Sequence, residues 1–134
     1  MKRKTMITLL LLTVPFVMCG RSTAKASSSK EAAKILAESC AQKDSGAFEG
    51  ILSNEFHAAL EADIKKQKTS KAEFMDREIF KDLSVPMKNY EITREKKISE
   101  TEIRLTYHFK GTDMRDLDIS FLKENGFWFV KDIH

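Results

Sequence analysis

The 134 residues carry 23 Lys and Arg against 20 Asp and Glu, a formal net charge of +3. Five of those basic residues and none of the acidic ones fall in the first 26 positions, which leaves 18 basic against 20 acidic in residues 27–134, a net of −2. That near-neutral, interspersed surface excludes a clustered basic footprint for nucleic acid; the length supports one core; and of the two cysteines only Cys40 lies in the domain, which excludes a disulfide within it.

The chain opens with Lys2, Arg3 and Lys4, continues through the apolar run Met6 to Met18, and turns polar from Gly20. A charged segment, an apolar segment and a polar boundary are the layout of an export signal. The run is 13 residues long and contains Thr8, Thr13 and Pro15, shorter than the roughly 20 apolar residues of a spanning helix. Residues 1–19 are therefore expected as a cleaved leader, residues 20–27 as a polar tether, and residues 28–134 as a single α+β domain outside the cytoplasm.

Two cleavage sites compete. Phe16-Val17-Met18-Cys19-Gly20 resembles the lipobox of bacterial lipoproteins, which implies acylation of Cys19 and attachment to a membrane; Met18 departs from the small residue preferred before the cysteine. Ala24-Lys25-Ala26 instead offers a small-x-small site and a soluble periplasmic or secreted product beginning at Ser27.

Ser28-Ser29-Lys30-Glu31 has capping-box spacing, and Ala32, Ile35, Leu36, Ser39 and Cys40 recur three and four apart, which predicts an amphipathic helix to about Gln42. Cys40 falls on its apolar side and is expected as a buried, inert thiol. Lys43-Asp44-Ser45-Gly46 is a stop, followed by a short helical turn over Ala47 to Leu52. Ser53 caps a third helix with Phe56, Ala59, Leu60 and Ile64 on one face. Ser70-Lys71-Ala72-Glu73 repeats the capping box before a fourth helix striped by Met75, Ile79, Phe80 and Leu83, which Pro86 stops.

Beyond Pro86 the hydrophobic period falls from about 3.6 to 2. A strand is expected over Tyr90 to Ile98. Ile103, Leu105, Tyr107 and Phe109 alternate with Glu102, Arg104, Thr106, His108 and Lys110 in the next; Leu117, Ile119 and Phe121 define a third; Phe127, Phe129 and Ile133 define a fourth. Asn125-Gly126 suits the positive φ angles of a type I′ hairpin turn. The expected architecture is N-terminal helices on a curved, four-stranded antiparallel meander.

The order of Glu31-Ala32-Ala33-Lys34-Ile35-Leu36, Lys43-Asp44-Ser45-Gly46-Ala47-Phe48, Ile51-Leu52-Ser53 and the hairpin Phe121 to Val130 resembles the nuclear transport factor 2-like superfamily, and within it the small secreted and lipoprotein members. The resemblance covers nearly all of residues 28–134. It implies a curved sheet wrapped around the helices as a cone with an apolar pocket. The family uses that pocket for small molecules, for protein contacts and, in some branches, for isomerase or dehydratase catalysis; it also forms homodimers through the sheet.

The residues expected to face that pocket are Tyr90, Leu105, Tyr107, Phe109, Phe121 and Phe129, alongside Ile92, Ile103, Leu117, Ile119 and Phe127. Tyrosine is the one ionisable type among them, so binding of an apolar small molecule or an envelope protein is the expected function, and no catalytic residue, cofactor or metal is assigned. A pocket enzyme would have to use Tyr107, Tyr90 or His57 as its acid or base. Asp116 and Asp118 are expected on a salt-bridged outer face with Arg104, His108 and Lys110. His57 and Glu61 offer two metal ligands four apart on a helix, one short of the three that zinc requires. Leu122, Trp128 and Val130 are expected on the sheet face opposite Phe127 and Phe129, as a second apolar patch covered by the tether or by a second copy.

Overall fold

Among the described residues, the first four helices each begin at a side chain that accepts an amide of their own first turn. The structure, a computed structural model, describes residues 22–134, so the leader and Cys19 with its lipobox lie outside the described residues. Ser28 Oγ accepts from the Glu31 amide at 3.1 Å and opens α1 (Ser29–Ala41). Asp44 Oδ1 accepts from Ala47 N at 3.1 Å and opens the short α2 (Ser45–Gly50). Ser53 Oγ takes the Phe56 amide at 3.2 Å before α3 (Asn54–Gln67), and Ser70 Oγ takes the Glu73 amide at 3.1 Å before α4 (Lys71–Met75). These serine and aspartate oxygens satisfy amides that have no partner inside the helix. Beyond α4 the chain widens into a π-helical segment, Asp76–Phe80, then makes a last α turn, α5 (Lys81–Leu83), and a 3-10 turn at Pro86–Lys88. Among the described residues no helix is long and apolar enough to cross a membrane.

The stranded half is an antiparallel sheet in sequence order, β1 (Tyr90–Ser99), β2 (Glu102–Phe109), β3 (Leu117–Glu124) and β4 (Phe127–Ile133). The α+β architecture of helices followed by a four-stranded meander is as expected. Asn125 and Gly126 have φ of 53° and 85° and form the tight turn between β3 and β4. Bulges break the β1–β2 register after Ile92 and after Lys97. Past the first of them Glu95 and Lys97 oppose Leu105 and Ile103, and Glu95 reaches Lys30 of α1 at 3.7 Å.

The faces of β4 correct the expectation. Directly opposed residues of an antiparallel pair share a face. The two-residue turn sets Glu124 opposite Phe127, Lys123 opposite Trp128, Leu122 opposite Phe129 and Phe121 opposite Val130. Since Phe121 belongs to the core, Val130 and Trp128 point into it, and all three are members of the buried cluster. Phe127 and Phe129 share the other face with Leu122, so the assignment of Phe129 and Phe127 inward and of Trp128 and Val130 outward is reversed. The tight turn itself dictates the parity: Phe121 and Glu124 are three apart, hence on opposite faces, and Phe127 follows Glu124.

The core lies between the sheet and α1, where Ala32, Ala33, Leu36, Ala37 and Cys40 meet Leu105, Tyr107, Phe109, Ile119 and Phe121, each at most 1% exposed. Fully burying a side chain such as Leu36 or Phe121 contributes about 1.5–3 kcal/mol. The free edge of β4 is closed by main chain: Trp128 N donates to Ala26 O at 3.0 Å, Val130 N to Ile51 O at 2.7 Å, and Ser53 N to Val130 O at 2.8 Å.

Candidate functional site

Of the six side chains expected to line a pocket, four fill the core. Leu105, Tyr107, Phe109 and Phe121 are buried between the sheet and α1, and Tyr90 is half-buried at the sheet edge with its ring centroid 5.2 Å from that of Tyr107. Phe129 is buried on the other face. The Tyr107 hydroxyl donates to the Ala33 carbonyl of α1 at 2.9 Å, a bond between helix and sheet. Burial, followed by the nearby Tyr90 and Cys40, pushes its phenol well above the ordinary tyrosine range. Tyr90 is shifted the same way by burial and by Glu38. A phenol held more firmly protonated than usual is a poor base near neutral pH.

His57 does acquire a third potential ligand, one that the sequence reading missed. Glu49 of α2 lies with its Oε1 3.1 Å from His57 Nε2, and Glu61 Oε2 lies 3.5 Å from the same nitrogen. The three ligand atoms all fall within 4.8 Å of one another. Lys71, at the start of α4, donates to Glu49 Oε1 and reaches Glu61 Oε2, both at 3.0 Å. Those hydrogen bonds, to Glu49 and then Glu61, raise the pKa of Lys71. Its ammonium thus occupies the position between the carboxylates that a divalent ion would take. A metal bound there would have to displace Lys71; as it stands, the cluster is an ion-pair network tying α2, α3 and α4 together. The signal was a lone carboxylate inside the apolar run Phe48-Glu49-Gly50-Ile51-Leu52, where burial demands a partner.

The outer sheet face is polar and bonded across strands; of the expected partners His108 meets Asp116, while Asp118, Arg104 and Lys110 take others. Thr106 Oγ1 donates to Asp118 Oδ1 at 2.6 Å, His108 Nδ1 lies 2.9 Å from Asp116 Oδ1, and Lys110 lies 3.5 Å from Glu91. Arg104 donates to Ser120 Oγ at 3.3 Å. The apolar members of this face are Leu122, Phe127 and Phe129, at its β4 end.

Three surface depressions open elsewhere among the described residues, and none of the six expected pocket residues lines any of these three. The groove with the largest apolar side chains, about 390 Å³, lies between α3 and β4 and is lined by Phe56, Ala59 and Ile133 with Glu55, Lys131 and Asp132. Lys131 is the extra residue of a bulge in β4, because Ser120 opposes Asp132 while Phe121 opposes Val130. Its ammonium is fixed by Glu102 at 3.0 Å. The groove therefore has an apolar floor of half-buried Phe56 and Ile133 and a rim of both charge signs. No protein-family model, no curated protein and no solved structure matches this chain.

Proposed function

We propose that this chain is an exported, non-enzymatic binding domain of the bacterial cell envelope, held to a membrane through an acyl chain on Cys19. Its site is the groove between α3 and β4, which accepts an apolar side chain of a protein partner. The observation that carries this reading is the way the reactive side chains are used. Tyr107 is bonded to Ala33, Glu49 to both His57 and Lys71, and His108 to Asp116. The α3–β4 groove, by contrast, leaves Phe56 and Ile133 half-buried beside charged groups of both signs.

A volume near 390 Å³ falls in the range of about 300–1,000 Å³ typical of binding sites. Its open form and charged rim suit one or two side chains of a protein, with desolvation at the centre and orientation from the rim. The binding role is motivated by the resemblance of the chain, in its sequence order of helix and hairpin motifs, to the small exported members of the nuclear transport factor 2-like superfamily.

Photo-crosslinking in intact cells tests the reading. A photoreactive residue at Ala59 should give a discrete protein adduct that Phe56→Asp abolishes, and one at Lys96 should not. Adducts equally strong from both positions would refute the groove as the site. A small molecule retained by the purified protein, and displaced by Phe56→Trp, would replace the protein partner with an apolar ligand.

A further inference from the structure

We infer that the exported chain is cut upstream of Ser22, and that Ala24-Lys25-Ala26 is a built part of the folded domain, not a cleavage site. The inference rests on the export reading and concerns which peptide bond water hydrolyses. Residues 22–27, the described part of the expected tether, run along the edge of the domain. Ala24 N donates to Gly50 O at 2.9 Å, and Ala26 O accepts from Trp128 N at 3.0 Å. Ala26 is wholly buried, and Ala24 packs against the core cluster. Ser27 then donates through both its amide and its hydroxyl to Glu31 Oε1, at 2.9 and 2.7 Å, and Ser28 caps α1.

Gly50 shows how closely the segment is seated. A Cβ at that position would stand 2.6 Å from the Ser22 carbonyl oxygen, which is backbone and has no rotamer by which to move aside. The chain at Ser22 is thus in contact with α2, and only a glycine there lets it pass. A cut after Ala26 would take Ala26 out of the core, leave the Trp128 amide and the Gly50 carbonyl without these partners, and place a new charged amine on Ser27. Desolvated backbone groups that lose their partners are costly. A cut before Cys19 leaves every one of these contacts in place. Only Gly20 and Arg21 would then separate the acylated cysteine from Ser22, and at about 3.3–3.6 Å per residue Ser22 stays within roughly 10 Å of Cys19.

The test is to express the full chain in a bacterial host, recover the envelope fraction, and read the mature N-terminus by sequencing and intact mass. The expected product begins at Cys19 with the added mass of acyl chains. An unacylated start at Gly20, Arg21 or Ser22 upholds the inference but refutes the lipid anchor. A start at Ser27 overturns the inference and leaves export standing. An unprocessed chain retained in the cytosol overturns export and the inference with it. Glycine variants of the full chain give a second readout that does not depend on processing. Gly50→Ala should lower the melting temperature by about 5–10 °C, since a shift of about 4–8 °C accompanies each kcal/mol in a domain of this size. Gly46→Ala, whose nearest new contact is Asp44 at 3.6 Å, should stay within about 2 °C. Equal melting of the two variants would mean that Ser22 does not lie on Gly50, and would overturn the inference.

Discussion

Raising the pH should destabilise this domain through Cys40, by an amount that the structure sets. Cys40 is wholly buried on the sheet side of α1, and desolvation pushes its thiol from an ordinary 9.0 up to about 12, against a small opposing effect of the Ser39 hydroxyl. Because the folded-state value is the higher one, the unfolded chain gives up its proton first. The contribution is complete below about pH 9 and is lost progressively as pH rises toward about 12. At pH 10.5 the unfolded thiol is about 1.5 pH units past its midpoint while the folded one is still protonated, a loss of about 2 kcal/mol at 1.36 kcal/mol per unit. With a urea dependence of about 1–3 kcal/mol per molar, the unfolding midpoint falls by about 1 M. The values of Tyr107, Tyr90 and Lys71 are also raised in the folded state, so the measurement is a difference between proteins. Urea titrations of wild type and Cys40→Ala, each at pH 7.5 and pH 10.5 under reductant, should show the wild type losing about 2 kcal/mol more than the variant between the two pH values. Equal losses would mean that water reaches the thiol in the folded state, and the closed core described around α1 would be wrong. A thiol that stays protonated this far is also of no use as a nucleophile or metal ligand near neutral pH.

Other consequences can be read by the same denaturation. Tyr107→Phe removes the hydroxyl that holds Ala33 and should cost about 0.5–1.5 kcal/mol of stability, with no effect on binding at the α3–β4 groove. Val130→Ala, inside the core, should cost about 2–3 kcal/mol, and Phe127→Ala, on the other face, under about 1 kcal/mol; the reverse order would show the β4 faces to be misassigned. Lys71→Met strips a partner from the buried Glu49 and should cost about 1–3 kcal/mol. Lys65→Met, at the exposed end of α3, should stay within about 0.5 kcal/mol, and an equal loss in the two variants would show that Lys71 carries no structural role.

The elements themselves were legible in the chain because their signals are local. Ser28, Ser53 and Ser70 stand one residue before a helix and accept the amide three residues on, as spacing alone requires. The change of period at Pro86 and the Asn125-Gly126 turn likewise need only neighbours along the sequence. What the sequence reading missed needs a second segment. From the sequence Phe129 reads as a core residue, because an aromatic alternation looks the same on either face. Its side is decided by the pairing with Leu122 across the hairpin, and that information was present in the turn length but not in the strand. Glu49 gains meaning only when α3 and α4 bring His57, Glu61 and Lys71 to it from 8, 12 and 22 residues away. The six expected pocket residues read as a cavity lining because apolar inward faces are common to a pocket and to a core. Whether space remains between sheet and helices depends on how deeply α1 seats, and Ala33, with only a methyl to hold it off, lets the helix backbone approach close enough to take the Tyr107 hydroxyl at 2.9 Å. Local chemistry fixes where helices and strands begin and end, whereas faces, cavities and side-chain clusters are set by packing between segments that the chain order keeps apart.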